Sequence, residues 1–202
     1  MTAALVLAVQ ICLQPLDPVD PAMVRVAARG IEHVYGFAVS VLPSRSLPRE
    51  AWYAPRKRYR AEKLLDFMDE DIPKGCDAMM GLTRVDISTT KGDVTDWGVL
   101  GLAHLGGPSG VVSSFRMKTK DRATLLRRAV KTVNHELGHV IGLDHDDSVA
   151  GCVMNDAKGT VRTVDRETGV LCDHERAAIE AKWAVKLPLR EQIDWASVTG
   201  AP

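Results

Sequence analysis

Residues 135 to 145 read His135-Glu136-Leu137-Gly138-His139-Val140-Ile141-Gly142-Leu143-Asp144-His145, an HExxHxxGxxH run without departure. Four residues apart on a helix, His135 and His139 stand one above the other, so both imidazoles can reach one ion. The same helix cannot deliver His145, because six residues leave it about 120° away around the axis. The chain must turn first, and Gly142, lacking a Cβ, permits the left-handed residue that ends a helix. Three neutral imidazoles leave the fourth position of a tetrahedral Zn²⁺ open to water, the arrangement of a catalytic rather than a structural site. Glu136, beside the first ligand, is then placed to act as general base toward that water. The chain has six histidines in 202 residues, and three occupy the ligand spacing, which argues against coincidence.

Working outward, an apolar pattern through Leu125, Val130, Val133 and Leu137 extends the motif into a long helix that Asp121 is suited to cap. Toward the N-terminus, Leu5 to Leu13 reads as a strand ended by Pro15 and Pro18, and Pro21 opens a helix that Gly36 closes. Phe37 to Leu42 reads as a strand, Pro43 to Pro55 as a loop, and Tyr59 to Asp69 as a helix. Cys76 to Leu82, Val99 to Leu105 and Val111 to Met117 are further strands, the last two forming a hairpin. After Gly142 the chain is polar and irregular, until a final helix over Glu175 to Val185 that Asp173 could cap. The expected fold is α/β (α+β): a mixed, partly antiparallel twisted sheet with packed helices and a long active-site helix. One catalytic domain, 1–202, is expected, with an N-terminal subdomain over 1–142 and a small irregular C-terminal subdomain over 143–202 that ends in a helix.

Composition narrows the function classes. Lys plus Arg and Asp plus Glu are 26 each, so no net field draws the protein toward nucleic acid or an anionic membrane. The basic run Arg56 to Arg60 reads as a solvated face at a helix start. No segment reaches the roughly 18 apolar residues of a membrane span. The apolar N-terminus lacks the basic start and clear cleavage site of a leader, and reads instead as a buried strand. Four cysteines, Cys12, Cys76, Cys152 and Cys172, are too few for a disulfide scaffold, so a reducing, cytoplasmic setting is expected, with export as the alternative. A monomer acting on a peptide or protein substrate is the expectation.

The motif with its third histidine, followed by Met154 nine residues later, resembles the metzincin clan of zinc peptidases, in which a Met-turn follows the ligands. Within that clan the chain is most similar to the archaemetzincins, whose pattern continues Cys-x4-Cys-x-Met-x17-Cys-x-x-Cys. Cys152-Val153-Met154 matches the middle of that pattern and Cys172 follows at the family spacing. Gln14-Pro15-Leu16, Tyr59-Arg60-Ala61, Gly98 to Ala103 and Ser114 to Met117 also look like family segments, so the resemblance spans most of the chain. It implies a metzincin-like fold, peptide-bond hydrolysis and an association with aminopeptidase activity on small peptides.

The departures concern a second metal. The family's four thiolates would close a structural zinc site. Here Asp146 stands for the first cysteine and Glu175 for the last, with one extra residue before Cys152. Cys152 and Cys172 are then a redox pair or residual ligands, with Asp146, His174 or Glu175 as substitutes, and a second structural ion is not expected. Asp146 also resembles the residue after the third histidine in adamalysins, where it is structural. In metzincins the substrate lies along an edge strand, and Val99, Leu100, Gly101, Leu102 and Ala103 are the candidate, flanked by Trp97 and His104. Two other readings stay open: a zinc-binding protein without catalysis, and an adamalysin-like secreted endopeptidase.

Overall fold

The computed structural model describes residues 9–200. The start of the strand expected over Leu5 to Leu13 lies outside the described residues, and among those described β1 spans Gln10–Pro15. Asp20 caps α1 (Pro21–Tyr35), and Gly36, at φ 68°, ends it. Then come β2 (Ala38–Val41), β3 (Trp52–Tyr53), β4 (Arg58–Arg60) and α2 (Ala61–Asp69). The middle of the chain forms β5 (Ala78–Thr83), β6 (Ile87–Lys91), β7 (Val94–Val99), β8 (Gly101–Ala103) and β9 (Ser109–Ser113). The long helix is α3 (Arg122–Ile141), followed by α4 (Val161–Arg166), α5 (Asp173–Trp183) and α6 (Trp195–Thr199).

Five strands make the main sheet in the order β2-β1-β5-β9-β8, parallel except for β8, which runs antiparallel to β9 at the edge. Residue alternation along the inner strands sorts the core into two layers. Ile11, Leu13, Met80, Leu82 and Val112 face α1 and α3, whereas Cys12, Met79 and Val111 face α2. A parallel sheet covered on both faces explains why β1, β5 and β9 read as nearly continuous apolar runs. Val153, Met154, Leu171, Ile179 and Ile193 join the α1–α3 cluster, so the segment after Gly142 packs into the same core as the motif helix.

A second sheet, β3-β4-β6-β7, was not expected. It divides the stretch Val99 to Leu105: Val99 ends β7 in the second sheet, Leu100 bends, and Gly101 to Ala103 edge the first. The basic run is also reassigned, because Arg58 to Arg60 form a strand and the helix starts at Ala61. Its arginines are paired: Arg58 with Asp86 and Asp96, Arg56 with Asp96, and Arg60 with Glu62, while Arg116 completes the group on Asp86. Polar threonines and charges in β6 and β7 carried no apolar alternation, which is why sequence patterning passed over that hairpin.

Cys152 and Cys172 form the pair that the sequence offered, Cα atoms 5.5 Å apart, whereas the bond between Cys12 and Cys76, 5.7 Å apart, was not expected and corrects the view of four cysteines as too few for structural crosslinks. The Cys12–Cys76 crosslink ties β1 to the turn before its neighbour β5. No helix among the described residues is long and apolar enough to cross a membrane. Replacing both Cys12 and Cys76 by Ala should cost about 2–4 kcal/mol of stability by releasing the unfolded chain. Denaturant melts of oxidised wild type and the double variant check this, and equal midpoints would contradict it.

Candidate metal centre and cleft

The motif helix is fixed at both ends. Asp121 accepts hydrogen bonds from the backbone N–H of Ala123 and Thr124 at 3.1 and 3.0 Å, which hold its carboxyl below the usual range, the Thr124 hydroxyl contributing most. At the other end Gly142 takes φ 107°, and the N–H groups of Gly142 and Leu143 bond back to the Gly138 carbonyl. That reversal returns the chain so that His145 meets the two helical histidines.

The three Nε2 atoms stand 3.1 to 3.2 Å from one another. Their tautomers follow from the other ring nitrogen: Nδ1–H of His135 donates to the Val153 carbonyl at 2.6 Å, and Nδ1–H of His139 to the Leu143 carbonyl at 2.7 Å. The Nε2 lone pairs of these two rings therefore face inward with no donor between them, an arrangement that a cation relieves. Donors about 2.0–2.1 Å from a tetrahedral ion stand roughly 3.3 Å apart, close to the spacing here. Burial pushes His135 down to about 3, with the neighbouring His139 adding to the effect, and burial lowers His139 too, so both rings favour the neutral form that can hold a cation. Burial falls from His135 through His139 to His145, so the centre opens to solvent on the His145 side.

Glu136 projects into the cleft beside this centre. An ideal Cβ on Gly101 would lie 2.5 Å from Glu136 Oε1, so the edge strand approaches the carboxylate only because residue 101 has no side chain. Burial pushes the Glu136 carboxyl up to about 8. Met154 lies under the helix: a Cβ on Gly138 would fall 2.3 Å from its sulfur. Tyr35 donates its hydroxyl to the Asn134 carbonyl at 2.6 Å, and Asn134 donates to Gly169 at 3.1 Å, bracing the turn that carries His135.

The cleft encloses about 350 Å³. The edge strand from Val99 to Ala103 forms one wall, Trp97 with Thr89 to Lys91 another, and the turn Asp156 to Gly159 a third. That turn belongs to the segment after His145 and packs against the Trp97 indole. Trp97 thus lines the cleft. His104 does not, pairing instead with Asp69 at 3.1 Å. Tyr53 and Tyr59 belong to the second sheet, away from it.

Cys152, Cys172 and Glu175 have ligand atoms within 4.8 Å of one another, but the two sulfurs are bonded together and offer no thiolate. Asp146 and His174 pair with each other at 2.7 Å rather than joining that group, and Asp146 also accepts from the Ser148 N–H. Thr132, Val164 and Glu167 line the cleft and were missed. Thr132 was findable, being one helical turn before Glu136. Val164 and Glu167 come from the irregular segment, where no periodicity marks them.

A donor set of three imidazoles with a carboxylate beside it, in a cleft edged by a free strand, defines a zinc-dependent hydrolase. Comparison with known proteins gives the family. Residues 30–180 match peptidase family M54. The chain is 32% identical to an archaemetzincin of Haloarcula marismortui over 167 residues, 78% of this chain and 92% of that protein. The crystal structure of an archaemetzincin from Methanopyrus kandleri superposes with a TM-score of 0.76 at 30% identity, covering 88% of this chain and 97% of that one. A zinc-dependent peptidase from Methanocorpusculum labreanum superposes at 0.68 with 25% identity, covering 84% and 99%. The chain belongs to peptidase family M54, the archaemetzincins, and is accordingly a zinc metallopeptidase.

Two predictions follow from the packing and charge of this region. Met154→Ala should cost about 2–5 kcal/mol as a cavity, and Gly138→Ala about 1–3 kcal/mol as overpacking. Because the second clash is with the atoms the first removes, chemical denaturation of the double variant should show clearly less than the sum; additivity would refute the contact. Burial also pushes Glu167 up to about 8, from 4.5 in the unfolded chain. The folded protein then holds a proton the unfolded one releases, so stability falls as pH rises from 4.5 to 8, by up to about 1.4 kcal/mol per unit. Glu136, raised to about 8 as well, contributes a similar slope, so Glu167→Gln should lessen the fall of stability with pH without abolishing it, and an unchanged slope would count against a buried neutral carboxyl.

Proposed function

We propose that the chain hydrolyses peptide bonds with one zinc ion held by His135, His139 and His145, and with Glu136 moving the proton. The observation that carries this is the convergence of the three Nε2 atoms in a cleft that the Glu136 carboxylate also enters. When bound, zinc supplies Lewis acidity that brings water toward a pKa of about 7 and polarises a carbonyl.

The protein's own groups do the rest. Glu136 takes the proton of the attacking water and passes it to the leaving amine. Burial raises its proton affinity, and a cation held by the three histidines beside it would favour the carboxylate, the form that takes the proton. Gly101 to Ala103, unpaired on their outer side, accept an extended peptide by strand addition, which fixes the backbone without demanding a particular sequence. Met154 supports the ligand helix from below. The cleft suits short peptide segments, cleaved as a peptidase or aminopeptidase.

The Cys152–Cys172 bond stands where the family's second metal would be, and we assign no ion there. Two disulfides favour an oxidising compartment, so export is the localisation this structure supports over the cytoplasm.

Glu136→Ala should retain fold and zinc while hydrolysis of a peptide pool falls by about 10²–10⁴-fold. Wild-type turnover in this variant would overturn the role of Glu136.

A further inference from the structure

Beyond the reacting centre, the cleft continues along α3 toward its N-terminal side, where Thr132 stands one turn before Glu136 and faces Val164 and Glu167 from the segment after the Met-turn. Two polar groups there lack partners. The Thr132 hydroxyl is buried and makes no hydrogen bond, with its residue 4% exposed. No protein donor reaches the Glu167 carboxylate among the described residues, although Glu167 too is 4% exposed. The Lys131 ammonium, whose charge favours the Glu167 carboxylate, spends its donors on the backbone carbonyls of Val164, at 2.9 Å, and Glu167, and does not line the cleft. The Glu167 oxygens, unlike the Thr132 hydroxyl, are not closed off from solvent, and a cationic group entering the recess adds donors that the protein supplies to neither.

We propose that this recess is a specificity pocket for a basic side chain, Lys or Arg, of the peptide substrate. An ammonium or guanidinium brings several donors and no acceptor, which suits a carboxylate and a hydroxyl that both lack partners. The methylene stem of such a side chain runs along Val164 and Leu100, apolar parts of the same wall. A basic side chain would favour the ionised Glu167 carboxylate that burial alone disfavours, whereas an acidic one would oppose that ionisation. A purely apolar one would fill the recess but leave both polar groups unmatched. Glu167 thereby acts on the choice of substrate and not on bond cleavage.

This inference rests on the peptidase reading of the histidine centre, so binding and cleavage are measured separately. Matched N-acetylated peptides carrying Lys, norleucine or Glu at each position in turn are titrated into Glu136→Ala protein by calorimetry, and turnover is followed with wild type. At one position Lys should exceed norleucine by about tenfold in both readouts, with Glu weakest, as one matched charged contact implies. Glu167→Gln should bring the Lys-to-norleucine ratio near unity, and Glu167→Asp should keep it above unity. Should Glu167→Gln fail to fold, as judged by its melt, Thr132→Val takes its place and should lower the ratio. Equal binding of Lys and norleucine by the parent protein overturns the pocket, as does discrimination that appears only when the peptides carry a free α-amine. Basic preference in binding, with no turnover of the acetylated peptides or of their free-amine counterparts, would uphold the pocket and sink the hydrolytic reading instead.

Discussion

Three imidazole nitrogens brought within 3.2 Å of each other are the constraint from which the rest of this structure is best understood. Lone pairs gathered so closely repel unless a cation lies among them, so each ring has to be held in place by something else. His135 and His139 are held by backbone carbonyls, those of Val153 and Leu143, and both carbonyls belong to chain that follows the helix. The turn at Gly142 therefore delivers the third histidine and also orients the second, while the Met154 turn orients the first. Sequence order and ligand geometry are one device here.

That device needs a rigid floor. Its helix is buried between α1 and the edge of the main sheet, and Met154 fills the space that Gly138 leaves open. In the family pattern four thiolates would fasten the segment after the Met-turn. Here a covalent bond between Cys152 and Cys172 does so, with Glu175 capping the backbone N–H of Cys172 at 2.8 Å. The substitution of Glu175 for a cysteine is thus accounted for locally, as a helix cap. Asp146 is accounted for as the partner of His174 and of the Ser148 N–H.

Much of this was legible beforehand where chemistry and periodicity coincide. The motif fixed a helix, a turn and a ligand set through spacing alone, and Asp121, Gly36 and Gly142 act as the caps their residue types suggest. Proline and apolar alternation placed β1, α1, β2 and β5 to within a few residues. The second sheet was not legible, because Thr89, Thr90, Thr95 and Asp96 sit in strands stabilised by pairing and salt bridges rather than by a buried face. Nor was the break at Leu100, where apolar residues continue while the chain changes sheets. The first disulfide was missed because Cys12 and Cys76 are 64 residues apart and meet only once β1 lies beside β5. Glu167 escaped notice for a related reason: nothing local distinguishes a carboxylate that tertiary structure turns into a cleft from one that it leaves in water.

The most direct test of the central claim is X-ray absorption at the zinc edge, with metal counted per chain, on protein purified without chelator or added metal. A centre built on His135, His139 and His145 should hold one zinc per chain with nitrogen and oxygen neighbours at about 2.0–2.1 Å and no sulfur in its shell. Sulfur neighbours at about 2.3 Å would place metal on Cys152 and Cys172, and protein that neither carries nor takes up zinc would rule the three-histidine centre out.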